Sequence, residues 1–209
     1  MRHVIVTRFS VPRLQDPDNA ERHNDRSWLD RRVGLFHRFF VPSVGRLGVP
    51  AVLLCSSESA AYVDEKVSGL DWVEVAVQDE WHGGWAGDDD QFVTRMDSDD
   101  AIHEGWLAAV EAAPPEAEVC CTRDFLRYDI SKARLCAYTR REPSPLAAFR
   151  YGRNPFTYDH SKLDHYYRVH DIAGPYLVQI FHGGNVSSRR PSWYRRSLPL
   201  KYLEAYGVR

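Results

Sequence analysis

QFVTRMDSDDAIHEGW, residues 91–106, runs from a short apolar pattern through three carboxylates in four positions, Asp97, Asp99 and Asp100, into a helix-like pattern. Adjacent carboxylates repel by roughly 1–4 kcal/mol per close pair, depending on the local dielectric, so the cluster needs either bulk water or a cation. If QFVTRM is a strand, the carboxylates stand at its carboxyl end, which is where open α/β sheets hold their ligands.

The sequence on either side supports that strand. HVIVTRF (3–9), AVLLCS (51–56) and WVEVAV (72–77) are apolar runs bounded by turn chemistry and read as buried strands, with helix-like stretches at 28–40 and 58–67 between them. Such alternation predicts βαβ units and a mostly parallel sheet. After the carboxylates, AIHEGWLAAVEAA (101–113) carries Ile102, Trp106, Ala109 and Val110 at helical spacing, and Pro114 with Pro115 ends it. AEVCCTRDFLRYDI (117–130) and RLCAYTRR (134–141) read as strands joined by a short turn, so the second half is mixed or antiparallel. The last third, from Pro143, is rich in Tyr, His, Arg and Pro with weak periodicity. With no repeat, low-complexity tract or Gly/Ser linker, the expected architecture is one α/β domain over 1–209, a mixed, mostly parallel sheet with flanking helices.

Bulk composition excludes several function classes. The 209 residues are 44% hydrophobic and 27% charged with a formal charge of -2, which calls for neither a nucleic acid polymer nor an anionic membrane as partner. The opening MRHVIVTRFS has too short an apolar run for a secretory segment or a membrane span, and the expected compartment is cytoplasmic. Cys55, Cys120, Cys121 and Cys136 lack C-x-x-C spacing, and the vicinal pair points to opposite faces of a strand, so all four are expected as buried thiols.

One of the three carboxylates is accounted for as the N-cap of a helix starting near Ala101, worth about 1 kcal/mol. The DDD run at 88–90, between Gly87 and Gln91, reads as a solvated loop. Asp97 and Asp99, as a D-x-D pair, suit Mg²⁺ or Mn²⁺, which take oxygen ligands from one or two carboxylates and complete their shell with water and substrate phosphates.

TRMDSDDA at 94–101, with TRFSVP at 7–12 and FHGGNVSSRR at 181–190, resembles a rhamnosyltransferase family, a branch of the glycosyltransferase A-type fold. The resemblance implies a sugar transfer, with rhamnose a candidate sugar, from a nucleotide-diphosphate donor. It also implies a divalent metal held by Asp97, Asp99 and Asp100 and completed by His182, and a nucleotide base resting near Thr7, Arg8 and Phe9. Gly183 and Gly184 would let backbone approach a phosphate. Arg189 or Arg190 would clamp the diphosphate, and Arg95, two residues before Asp97 on the same strand face, would orient that carboxylate or touch the donor. Asp124, Asp129 and Asp159 are candidate bases for the acceptor hydroxyl. WHGGW (81–85) reads as an aromatic loop, and YDHSKLDHYYRVHD (158–171) as surface or acceptor cleft. Two rivals share the same aspartates: a metal-dependent phosphoesterase and a non-catalytic sugar or nucleotide-binding module.

Overall fold

The computed structural model describes residues 1–11, 23–83, 85–182 and 197–208. β1 (Arg2–Ser10), β2 (Ala51–Cys55), β3 (Val73–Val77) and β4 (Gln91–Arg95) are parallel neighbours, and they follow the apolar runs of the sequence closely. β2 and β3 extend the sheet on one side of β1, while β4 pairs with β1 on the other, Val6 standing beside Arg95. The chain therefore reverses its direction of growth between β1 and β4. At such a switch point the loops that leave the two strands part, opening a crevice at their carboxyl ends.

The expected helix at 28–40 is present as α1 (Arg26–Leu35), opened by Asp25, whose carboxylate accepts the Trp28 N–H at 2.9 Å. It continues through a π-helical turn, Phe36–Phe40, into α2 (Val41–Val44). Phe36 and Phe40 are buried there and stack at 4.8 Å, and Phe36 meets Phe9 edge-on at 5.7 Å. α3 (Ala60–Val67) packs Val63 and Val67 against the same core.

The structure corrects the reading of 101–113. Ala101–Ile102 is a strand, β5, and the helix α4 begins only at Trp106 (Trp106–Glu111), preceded by Gly105. Trp106 is fully buried and donates its indole N–H to Thr94 Oγ1 at 3.2 Å, so α4 docks under β4 while 101–102 is free to pair elsewhere. The N-cap account of the carboxylates fails with it: none of them sits at a helix start.

A second correction concerns 117–130, which splits between two sheets. β6 (Val119–Cys121) belongs to the first and β7 (Asp124–Asp129) to the second. The break falls at Thr122, whose hydroxyl lies 2.8 Å from the Asp124 carbonyl and 2.6 Å from that of Gly174, either of which can accept its one hydrogen, and so diverts the ladder. β8 (Arg134–Thr139) is antiparallel to β7, as expected for the second half. The weakly periodic last third supplies β9 (Ala147–Phe149), which slots antiparallel between β4 and β6. It also supplies α5 (Leu163–Tyr166), β10 (Val169–Asp171), β11 (Leu177–Phe181) and β12 (Ser197–Leu198).

The finished architecture is α/β with a mixed seven-stranded sheet, ordered β3-β2-β1-β4-β9-β6-β10, and a second sheet, β12-β8-β7-β11-β5. One apolar cluster joins them, running from Ile5 and Phe92 to Phe125 and Leu177. All four cysteines are free and buried, and burial pushes the Cys55 thiol up to about 12. Among the described residues no helix is long and apolar enough to cross a membrane.

Candidate functional site at the end of β4

β4 ends in a tight turn at 97–100, closed by the Asp100 N–H donating to the Asp97 carbonyl at 3.1 Å. The turn carries the chain from the first sheet into β5, which pairs with β11, and this crossing buries the carboxylates that follow Asp97. Asp97 stays exposed, whereas Asp99 and Asp100 are 5% and 2% exposed. Asp99 Oδ2 lies 2.8 Å from His182 Nε2, and its Oδ1 lies 3.4 Å from Arg32 Nη1. Asp100 Oδ1 accepts the Ile180 N–H at 2.8 Å, and its Oδ2 is buried with no hydrogen-bond partner among the described residues. Burial opposes ionisation of Asp99, but Arg32 and His182 outweigh it and hold that carboxyl below the usual range. Asp100 goes the other way: burial first, then the charges of Asp99 and Asp97, push it well above. Three crowded carboxylates thus meet three settings: Asp97 in solvent, Asp99 between Arg32 and His182, and Asp100 buried against the charges of its neighbours.

Two loops form a wall beside this turn. The Arg8 guanidinium, at the end of β1, lies 3.4 Å from the Trp81 ring centre and 4.6 Å from that of Phe156, and donates to the Trp81 carbonyl at 3.1 Å. His82 Nδ1 is 2.8 Å from the Phe156 carbonyl, so the 81–83 and 154–158 segments are laced together. Gly152 lies under that lacing at φ +58°, where a Cβ would collide with the carbonyl oxygens of Gly87 and Asp88. Arg95 is 5% exposed and donates from Nη1 to the carbonyls of Pro155 at 2.8 Å and Tyr158 at 3.1 Å. Burial pulls its guanidinium down to about 10, still protonated at neutral pH, with the charges of Asp97 and Asp159 opposing the fall. Trp81 and Trp85 of the WHGGW segment rest on the core at Val4, Val6 and Leu54.

The structure brings together Asp97, Asp99, Asp100 and His182, with Arg8 and Arg95 at one side. It corrects three donor-binding expectations. Phe9 is core, 1% exposed, turned inward where the β1–β2 register skips a residue between Arg8 and Ser10. Thr7 is fully buried, its hydroxyl without a partner among the described residues. Arg95 holds loop carbonyls rather than the Asp97 carboxylate. Gly183, Gly184, Arg189 and Arg190 lie outside the described residues. Of the candidate bases, Asp124 opens β7 at the far end of the second sheet. Asp129 caps the 3₁₀ turn Ile130–Lys132, accepting Ser131 Oγ at 2.7 Å and the Lys132 N–H at 3.2 Å. Asp159 is exposed and near enough to Arg95 to act on its charge, while Asp129 stands across from Phe181, the residue before His182.

Sequence reading missed Arg32. Its signal is weak: in RSWLDRRVGL, Arg32 falls four residues after Trp28 on one helix face, beside an ordinary exposed Arg31. The donor set nonetheless fits a hard divalent cation. A cation taking the place of the proton between His182 and Asp99 would gain one imidazole and one ionised carboxylate, with Asp97 at the rim and the orphaned Asp100 oxygen adjacent. Among the described residues no three His, Cys, Asp or Glu side chains are grouped so that they could hold a metal ion by themselves.

No family model matches the chain, and no curated protein does. Among solved structures, the chain is similar to S. aureus TarS 1–349 at 13% identity and a TM-score of 0.44, covering 86% of this chain and 60% of that one. It is also similar to the inositol-1-phosphate CTP transferase from T. maritima, at 12% identity and TM-score 0.47 over 90% and 93% of the two chains. A third is the 4-diphosphocytidyl-2C-methyl-D-erythritol synthase from Anaerococcus prevotii, at 13% and 0.45 over 84% and 89%. The chain thus spans about three fifths of the TarS 1–349 length.

Proposed function

We propose that the chain is a glycosyltransferase that moves a sugar, with rhamnose the first candidate, from a nucleotide-diphosphate donor to an acceptor hydroxyl. The observation that carries this reading is the Arg32–Asp99–His182 group at the carboxyl end of β4, beside the β1/β4 switch point. Asp99 and His182 would hold a divalent cation, which when bound neutralises charge on the leaving diphosphate. Arg32 stands on the other Asp99 oxygen, its Nε without a hydrogen-bond partner among the described residues, placed to share its guanidinium with phosphate oxygens bidentately. Arg8, clamped between Trp81 and Phe156, fixes the wall of the crevice on the β1 side. Asp159 is the base we assign to the acceptor hydroxyl. It stands on the loop whose backbone Arg95 grips, and its exposure leaves it reachable. Four free, buried thiols support a reducing, cytoplasmic setting.

The phosphoesterase reading is less well supported, because two-metal hydrolysis calls for a further convergence of carboxylates and imidazoles. No such convergence occurs among the described residues. The test is product identity with a panel of nucleotide sugars and Mn²⁺. Release of nucleoside diphosphate supports transfer, inorganic phosphate supports the esterase, and absence of turnover across the panel removes the transferase reading.

A further inference from the structure

The second sheet holds a cavity of about 560 Å³, within the range of ordinary small-molecule sites. Its floor is the start of β7 and the end of β8, where Asp124 and Thr139 stand opposite each other and Leu126 and Ala137 follow on the same face. The 3₁₀ segment Leu200–Tyr206 roofs it with Tyr202 and Tyr206, and His103 and Tyr176 close one side. The cavity is distinct from the carboxylate turn. β11 begins just after Tyr176, at the cavity, and its five residues end just before His182, at the turn, so the two sites lie at opposite ends of that strand.

We propose that this cavity binds a small organic cation, an alkyl- or quaternary ammonium group. Asp124 is the one charged side chain in the described lining, and Thr139 Oγ1 donates to its Oδ1 at 2.6 Å, orienting the carboxylate. Burial keeps His103 below the usual imidazole value, and its Nδ1 accepts the Gly105 N–H at 2.9 Å, so it contributes a neutral ring at pH 7. That ring meets Tyr176 at 5.7 Å and Tyr206 at 5.2 Å, both edge-on, which builds an aromatic corner in the cavity that Asp124 also lines. Aromatic faces converging on a carboxylate attract a cation through quadrupole and charge together.

The cations next to Asp124 and Thr139 in sequence are paired: Arg123 with Asp164 and Asp171, and Arg140 with Glu142. Arg127 projects from the opposite face of β7, donates to Gln179 Oε1 at 2.9 Å and lies 4.1 Å from the Tyr138 ring centre. Arg46, behind the roof, pairs with Glu104 at 3.5 Å and donates to the carbonyls of Glu204 and Ala205. A sugar suits the site less well, because the predominantly apolar lining would leave most of its hydroxyls unpaired.

The proposal stands independently of the transferase reading and is tested by calorimetric titration of the full chain with choline. The comparison ligand is its uncharged carbon analogue, in which a tert-butyl group replaces trimethylammonium. Choline should bind about 10-fold more tightly than the analogue. Asp124→Asn should abolish that preference while leaving analogue binding unchanged. Tyr202→Leu, at a side chain that is half exposed and so dispensable for folding, should weaken choline about 5-fold. Equal binding of the two ligands, no choline binding at millimolar concentration, or preferential binding of a methyl glycoside would overturn the proposal.

Discussion

The chain has two acidic clusters within thirteen residues, and the fold treats them in opposite ways. At 88–90 the carboxylates lie in solvent, where Asp88 and Asp90 meet Arg2 at 3.0 and 2.8 Å with side chains about two thirds exposed. At 97–100 the chain crosses between sheets and sinks Asp99 and Asp100 beneath β11. By composition the two segments are near equals. Position relative to a strand terminus separates them: the first precedes β4 and meets water, and the second follows β4 and meets the switch-point crevice. Exposed pairs contribute roughly 0–1 kcal/mol, whereas a buried ion whose partner is removed costs several times as much.

The contrast is sharpened most strongly by Asp99→Asn. It should reduce turnover by at least about 100-fold and, because Arg32 and His182 lose their common partner, destabilise the fold by about 1–3 kcal/mol. Denaturant unfolding alongside a product assay checks both parts, and a fully active variant would merge the two clusters into one class. Arg95→Met comes next. It leaves the carbonyls of Pro155 and Tyr158 without their donor, which should cost about 2 kcal/mol and lower kcat about 10-fold through the displaced Asp159 loop, with donor affinity less affected. Steady-state kinetics with donor and acceptor varied separately measures the split.

A smaller effect follows from His3, held by burial below the usual imidazole value despite Glu111 at 3.1 Å. The unfolded chain takes up this proton first as pH falls, so the stability that His3 contributes is present above about pH 6.5 and is lost as pH drops through that value. Thermal melts between about pH 7.5 and about pH 5.5 should show the decline, and His3→Gln should flatten it. The smallest change is expected from Asp90→Asn, with an unfolding midpoint indistinguishable from that of the parent and unchanged turnover. A loss like that of Asp99→Asn would mean that the exposed cluster also serves the site.

The parallel half of the fold is legible in residues 3–77 because parallel strands are short apolar runs: β2 is unbroken and wholly buried, β1 carries the run His3–Thr7, and β3, at the sheet edge, keeps three valines around Glu74. The second half is less so. Ala101 and Ile102 fit the helical spacing of α4, and only their pairing with Val178 and Leu177 makes them a strand. That choice is tertiary, invisible to periodicity, and it removes the supposed helix cap. The same holds for the site. Asp99 and His182 could be nominated from residue type and position at element ends, but Arg32 reaches Asp99 from 67 positions upstream through a helix packing that no local pattern announces. Phe9 and Thr7 were misplaced for a related reason: the end of a strand looks alike in sequence whether it opens to a crevice or, as at this bulge, turns into the core.

The most direct test of the switch-point account is calorimetric titration of nucleoside diphosphates, with UDP, GDP, CDP and dTDP as probes, in Mn²⁺ and again in excess chelator. At least one should bind in Mn²⁺ and weaken by 10-fold or more in chelator. His182→Ala, which removes one side of the Asp99 pair, should weaken the Mn²⁺-supported binding by roughly 10- to 100-fold. Equal affinity with and without the cation, or failure of all four to bind, would contradict the assignment of the 97–100 turn as a diphosphate site.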